Sequence, residues 1–159
     1  MKTKSFALVL TLASVALCSS VTAADTKPAA DPGHTHEKRT AGPNRGRVIT
    51  GITPRAEFFV TPDRKVQITF LGKDDAVIAP AAQVVTVTGG DRSAPTKLTF
   101  ARQGDVLLST TALPAGNDFP VVVEITSSPG SPNAVEKFYF DSSQCGECKN
   151  AEYACICAH

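Results

Sequence analysis

The sequence predicts an all-β fold, an immunoglobulin-like antiparallel β-sandwich over about residues 47–141. Three observations predict it. Apolar residues recur with a period of two in several short segments, which is the signature of half-buried strands. Turn residues punctuate those segments at intervals of roughly 8–14 residues, the spacing of a sandwich of about seven strands. No segment carries the 3.6-residue apolar period of an amphipathic helix.

Val48 and Ile49 begin the first apolar run, and Ala56-Glu57-Phe58-Phe59-Val60 forms the next. Pro62-Asp63 marks a turn, because proline presets φ and aspartate bonds to nearby backbone. In Lys65-Val66-Gln67-Ile68-Thr69-Phe70, Val66, Ile68 and Phe70 share one face. Gly72 to Asp75 turns the chain, and Val85 and Val87 alternate with Thr86 and Thr88 before Gly89-Gly90-Asp91. Leu98 and Phe100 point inward from one strand, and Gln103-Gly104-Asp105 is a hairpin loop leading to Val106-Leu107-Leu108. Val121, Val123 and Ile125 line one face of the next strand, and Phe138 and Phe140 that of the last. These inward residues are the expected core. The pattern closes before Cys145, so residues 43–141 are expected to fold without the cysteine-rich tail.

The flanks differ in kind. Residues 1–24 read as a secretory signal peptide: Lys2 and Lys4 give a positive start, Phe6 to Cys18 an apolar run, and Val21-Thr22-Ala23 a small-residue cleavage site after Ala23 or Ala24. The run is too short to span a bilayer. Leu17 before Cys18 is bulkier than a lipoprotein signal accepts, so Cys18 is assigned to the discarded segment. Localisation is thus expected to be periplasmic or secreted. Removing Lys2 and Lys4 takes sixteen basic residues to fourteen against fifteen acidic. There is no basic stripe for nucleic acid and no second membrane-length stretch. Residues 25–46, rich in Pro and Gly and poor in large apolar side chains, read as a disordered leader.

Chemistry concentrates in residues 142–159. Cys145, Cys148, Cys155, Cys157 and His159 form the pattern C-x2-C-x6-C-x-C-x-H. A C-x2-C pair on a turn lets two thiolates converge on one ion. In an extended chain Cys155, Cys157 and His159 fall on one face. Thiolates select soft ions, so the expected metal is Zn²⁺, Cu(I) or Cd²⁺, with Lys149 or Lys137 offsetting excess negative charge. The alternative is a disulfide cluster, since exported domains oxidise their thiols. A Cys155–Cys157 link would close a strained ring, so that alternative pairs Cys145 and Cys148 with Cys155 and Cys157. Redox chemistry at Cys145-Gly146-Glu147-Cys148 lacks the βαβ setting it normally has.

His34 and His36 read as solvated leader residues within reach of a shared ion. No histidine and no mature cysteine falls in 47–141. The acidic residues Asp63, Asp74, Asp75 and Asp105 sit at turns for backbone reasons, and no catalytic residues are expected; the protein is read as a non-enzyme.

Gly42-Pro43-Asn44-Arg45-Gly46-Arg47-Val48, Arg55-Ala56-Glu57-Phe58-Phe59-Val60 and the cysteine-rich terminus together resemble uncharacterised exported proteins. They are also similar to small β domains found with periplasmic adaptor subunits of heavy-metal efflux systems. The resemblance covers about 42–159 and implies metal handling beside an efflux-system envelope protein. The sequence has neither the long coiled-coil hairpin nor the lipoyl-like halves of an adaptor. Two functions are in contention: soft-metal capture or buffering through the tail, or a non-catalytic interaction protein stapled by disulfides.

Overall fold

A computed structural model of the chain describes residues 39–157; the signal segment, His34, His36 and His159 lie outside the described residues. Ten strands succeed one another: β1 (Arg47–Ile49), β2 (Arg55–Val60), β3 (Lys65–Leu71), β4 (Val77–Ile78), β5 (Val84–Gly89), β6 (Thr96–Leu98), β7 (Phe100–Gln103), β8 (Val106–Ala112), β9 (Phe119–Thr126) and β10 (Asn133–Phe140). They form two antiparallel sheets. One runs β1-β2-β3-β8-β7 with β4 beside β3, and the other runs β10-β9-β5-β6. The orders β2-β3-β8-β7 and β10-β9-β5 are the two-sheet arrangement of an immunoglobulin-like sandwich.

The core is set by the alternation. Val66, Ile68 and Phe70 of β3 are buried, as are Val85 and Val87 of β5 and Val121, Val123 and Ile125 of β9, together with Leu98 and Phe140. In the registers, Ile68 faces Phe58, Phe70 faces Ala56, Val87 faces Val123 and Val85 faces Ile125, so inward side chains meet in rows. Phe100 and Phe138 are only half-buried, packed against the edge of this core. Each fully buried large apolar side chain contributes about 1.5–3 kcal/mol over leaving it exposed.

Three expectations are corrected. The segment expected as one strand through Leu98 and Phe100 is two: β6 belongs to one sheet and β7 to the other, with the chain crossing at Thr99. Period-two parity continues across the switch because both sheets face the same core. Thr99 is held there by a Thr110 N–H donated to its carbonyl at 2.8 Å and by a 2.8 Å contact between the two hydroxyls.

The larger correction concerns the flanks. The leader is not disordered over its whole expected length, since Ala41 bridges Arg47 and residues 42–46 form a hydrogen-bonded turn. Nor does the tail stand apart: Tyr153 and Ala154 belong to the buried core. The Tyr153 ring is stacked on Phe140 at 5.2 Å and lies edge-on to Phe58 at 5.8 Å. Its oxygen accepts the Val60 N–H at 3.0 Å, and its carbonyl accepts from the Arg47 guanidinium at 3.3 Å. Burial raises the Tyr153 phenol above its ordinary pKa, so the ring stays neutral in the core.

Tyr153→Ala should therefore cost roughly 3–5 kcal/mol, the usual range for emptying a buried aromatic site. Tyr153→Phe keeps the ring but strands the Val60 N–H, for a loss of about 1–3 kcal/mol. Urea melts of the two variants check both values. Removing residues 144–159 should lower stability at least as much as Tyr153→Ala, against the expectation of an independent domain.

Candidate metal centre

The four mature cysteines meet where the tail folds back on the sandwich. At the first pair the chain reverses sharply: the Cys145 N–H donates to Asn150 O at 2.8 Å, the Lys149 N–H donates to Cys145 O at 3.2 Å, and Gln144 bridges Ala151. The reversal requires a left-handed residue, and Lys149 takes it at φ 63°. A 3-10 turn, Glu152–Ala154, then returns the chain, with the Cys155 N–H donating to Glu152 O at 3.1 Å. Cys155 leaves that turn extended, at φ −61° and ψ 135°, and Cys157 comes two residues on. Two further bonds tie this loop to the end of β10, from Glu152 N–H to Ser143 O and from Tyr153 N–H to Asp141 O.

The result is a compact four-sulfur cluster. The Sγ atoms of Cys145, Cys148, Cys155 and Cys157 all lie within 4.8 Å of one another. Cys145 and Cys155 are 3.5 Å apart, Cys148 and Cys155 3.7 Å, and Cys145 and Cys157 3.9 Å. A tetrahedron of sulfurs about 2.3 Å from a central ion has edges of about 3.8 Å. An S–S bond is about 2.05 Å, so the four thiols are free and their separations are close to such an edge. Four closely spaced cysteines can thus hold a metal ion, and among the described residues this is the one cluster of three or more candidate ligands. Cys145 and Cys155 are buried and Cys148 and Cys157 half-buried, so protein encloses most of the centre.

The electrostatics differ from sulfur to sulfur. The Ile156 and Asn150 N–H groups point at Cys148 and hold its thiol down at about 6, a thiolate at neutral pH. Burial pushes the Cys155 thiol up. It pushes Cys157 up further, helped by the neighbouring Cys155 thiol and the Glu147 carboxylate. Without a cation Cys148 is the favoured thiolate while Cys155 and Cys157 resist ionisation; a cation at the centre would reverse that resistance.

Residues that sequence reasoning missed support this centre from the other end of the chain. The Arg45 Nε donates to Asn150 Oδ1 at 2.9 Å and its Nη2 reaches Cys148 O at 3.4 Å. Asn150 is buried, so Arg45 satisfies a polar group inside the cysteine turn. Arg45 is placed in turn by Glu57, whose fully buried carboxylate accepts from Asn44 N–H, Asn44 Nδ2 and Gly46 N–H at 2.8–2.9 Å. Only glycine fits above it, because a Cβ at Gly42 would lie 2.3 Å from Glu57 Oε1. The signal was the Gly-x-x-x-Gly spacing of Gly42 and Gly46, read in the sequence as leader composition.

Of the expected charge-balancing lysines, Lys149 sits in the cysteine turn with its Nζ donating to Gly146 O at 2.8 Å. Lys137 instead lines a groove on the four-stranded sheet with Thr88 and Tyr139. Asp75 pairs with Arg55 at 2.6 Å, and Asp63 accepts from the Thr61 hydroxyl, as turn residues do.

No protein family, curated protein or solved structure matches this chain. The site must be read from its own geometry.

If Arg45 orients the cysteine turn through Asn150, Arg45→Ala should weaken metal retention by roughly tenfold, the low end for loss of an outer-shell partner. Competition with a colorimetric chelator measures it, and unchanged retention would show that the turn holds its shape alone.

Proposed function

We propose that this chain is an exported, non-catalytic protein that captures or buffers one soft metal ion, Zn²⁺ before Cu(I), through Cys145, Cys148, Cys155 and Cys157. The observation that carries the reading is the set of sulfur separations at tetrahedral spacing. Four sulfurs in a tetrahedron suit Zn²⁺, and Cd²⁺ by the same softness. Four protein ligands leave no open coordination position, which suits holding an ion rather than activating a substrate on it. His159 is the alternate donor. Export through a signal peptide and work beside a heavy-metal efflux system complete the proposal, on the strength of the N-terminal pattern and the resemblance to efflux-associated β domains.

Metal binding and folding are coupled here, because Tyr153 lies between the two cysteine pairs in sequence and inside the core. An ion that binds only the folded chain raises its stability by mass action. The purified, reduced chain should take up one Zn²⁺ and melt at a higher temperature with it. The Cys155→Ser, Cys157→Ser double variant should lose both effects while its metal-free melt stays cooperative.

Binding should release protons. Affinity should fall steeply below about pH 6, where Cys148 gains its proton, and should still climb above neutrality, because Cys155 and Cys157 hold theirs. Titrations with a pH-buffered zinc chelator read that slope.

The competing reading is a disulfide-stapled interaction protein, and the 3.5 Å approach of Cys145 to Cys155 would let an oxidant join them. Thiol counting and metal analysis of protein taken from the periplasm separate the two. Protein with neither metal nor thiols, taking up no metal on reduction, would leave the stapled protein as the account.

A further inference from the structure

A cleft of about 460 Å³ opens beside the cysteine turns, between residues 59–64 and the segment 142–153. Its size falls within the range of small-molecule sites. Three cationic side chains line it, Arg45, Arg64 and Lys149, and none of its lining residues is a carboxylate. Phe59, Pro62 and Phe140 supply apolar wall. The nearby Asp63 carboxylate is engaged elsewhere, with the Thr61 hydroxyl and the Lys65 ammonium. In a chain of formal net charge +1, three cations around one concavity are a local concentration of positive potential.

Arg64 supplies a second, independent observation. Its Nη2 donates to the carbonyls of Pro114 and Gly116, and its guanidinium lies 5.3 Å from the Phe140 ring centroid. Its Nε is buried with no hydrogen-bond partner among the described residues. A buried charged N–H without an acceptor is costly, so the Arg64 guanidinium, whose residue lines the cleft, gains from an anion held beside it. Arg45 and Lys149 are exposed, and each has N–H donors beyond the bonds it makes to the cysteine turn.

We propose that this cleft binds a small oxyanion, a carboxylate or a phosphate, gripped by Arg64, Arg45 and Lys149. Guanidinium groups match the two-oxygen edge of such anions. The apolar wall would accept the body of an organic acid, and the open cleft a compact inorganic anion. The proposal does not rest on the metal reading: Arg64 hydrogen-bonds to the 114–116 loop and to no residue of the cysteine turns.

The test titrates inorganic phosphate and, separately, benzoate into the purified, reduced full chain at constant ionic strength in chloride, tracked by amide NMR shifts. One saturable site is expected near Arg64 and Lys149. Tighter phosphate binding would assign a compact inorganic anion, and tighter benzoate binding an organic carboxylate. Lys149→Gln and Arg64→Gln should each weaken binding by roughly tenfold, the loss expected for one charge-assisted hydrogen bond, while Arg64→Lys should lose less. Arg92→Gln, outside the cleft, should change nothing. Because Arg64 also holds a loop, Lys149→Gln decides the matter if Arg64→Gln fails to fold. Saturation by neither probe, or unchanged affinity in Lys149→Gln, would overturn the proposal.

Discussion

The seating of Tyr153 between the two sheets is the contact on which the rest of the structure depends. It brings together aromatic rings from β2 and β10, caps the Val60 N–H and fixes the point at which the tail turns back. Because Cys148 and Cys155 flank it in sequence, anchoring this one ring also determines where two of the four sulfurs lie. A buried aromatic pair adds about 0.5–1.5 kcal/mol beyond its buried area, and this ring contacts more than one partner. The tail is short and polar, and without such an anchor it would have little apolar surface to hold it in place.

A second support runs from the opposite end of the described chain. The Glu57 carboxylate is buried on the outer side of β2, where a carboxylate is tolerated only if its oxygens are bonded. The 42–46 turn supplies those bonds, and the turn in turn presents Arg45 to the cysteine loop. Arg47, the next arginine, ion-pairs with Glu136 at 2.6 Å and covers the Phe138 ring at 4.7 Å. Both N-terminal arginines thus reach across to segments roughly ninety to one hundred residues away, and the chain's two flanks hold each other.

The strands were legible because a face that must be buried imposes period two, and most of the expected core is buried as that period requires. The cysteine cluster was legible as well, because a C-x2-C turn and a C-x-C segment restrict where sulfurs can go. What stayed hidden has a physical reason in each case. The change of sheet at Thr99 leaves alternation intact, so Leu98 and Phe100 look like neighbours in one strand. Tyr153 is a single large apolar residue between Glu152 and Ala154, which gives no period to read. The ordering of residues 42–46 rests on the burial of Glu57, a residue that alternation alone would place in water. Arg45 and Arg64 act through three-dimensional neighbours far away in sequence, and composition carries no trace of that.

The strand exchange at Thr99 gives the sandwich two unlike edges. Along β6 and β7 the sheets are joined by the polypeptide itself, as pages are joined at a spine. Along β1 and β10 Tyr153 and the Arg47–Glu136 pair link them, as a cover is held by a clasp. The four sulfurs lie on the loop that carries the clasp, so the cysteine cluster and this edge of the sandwich share one anchor.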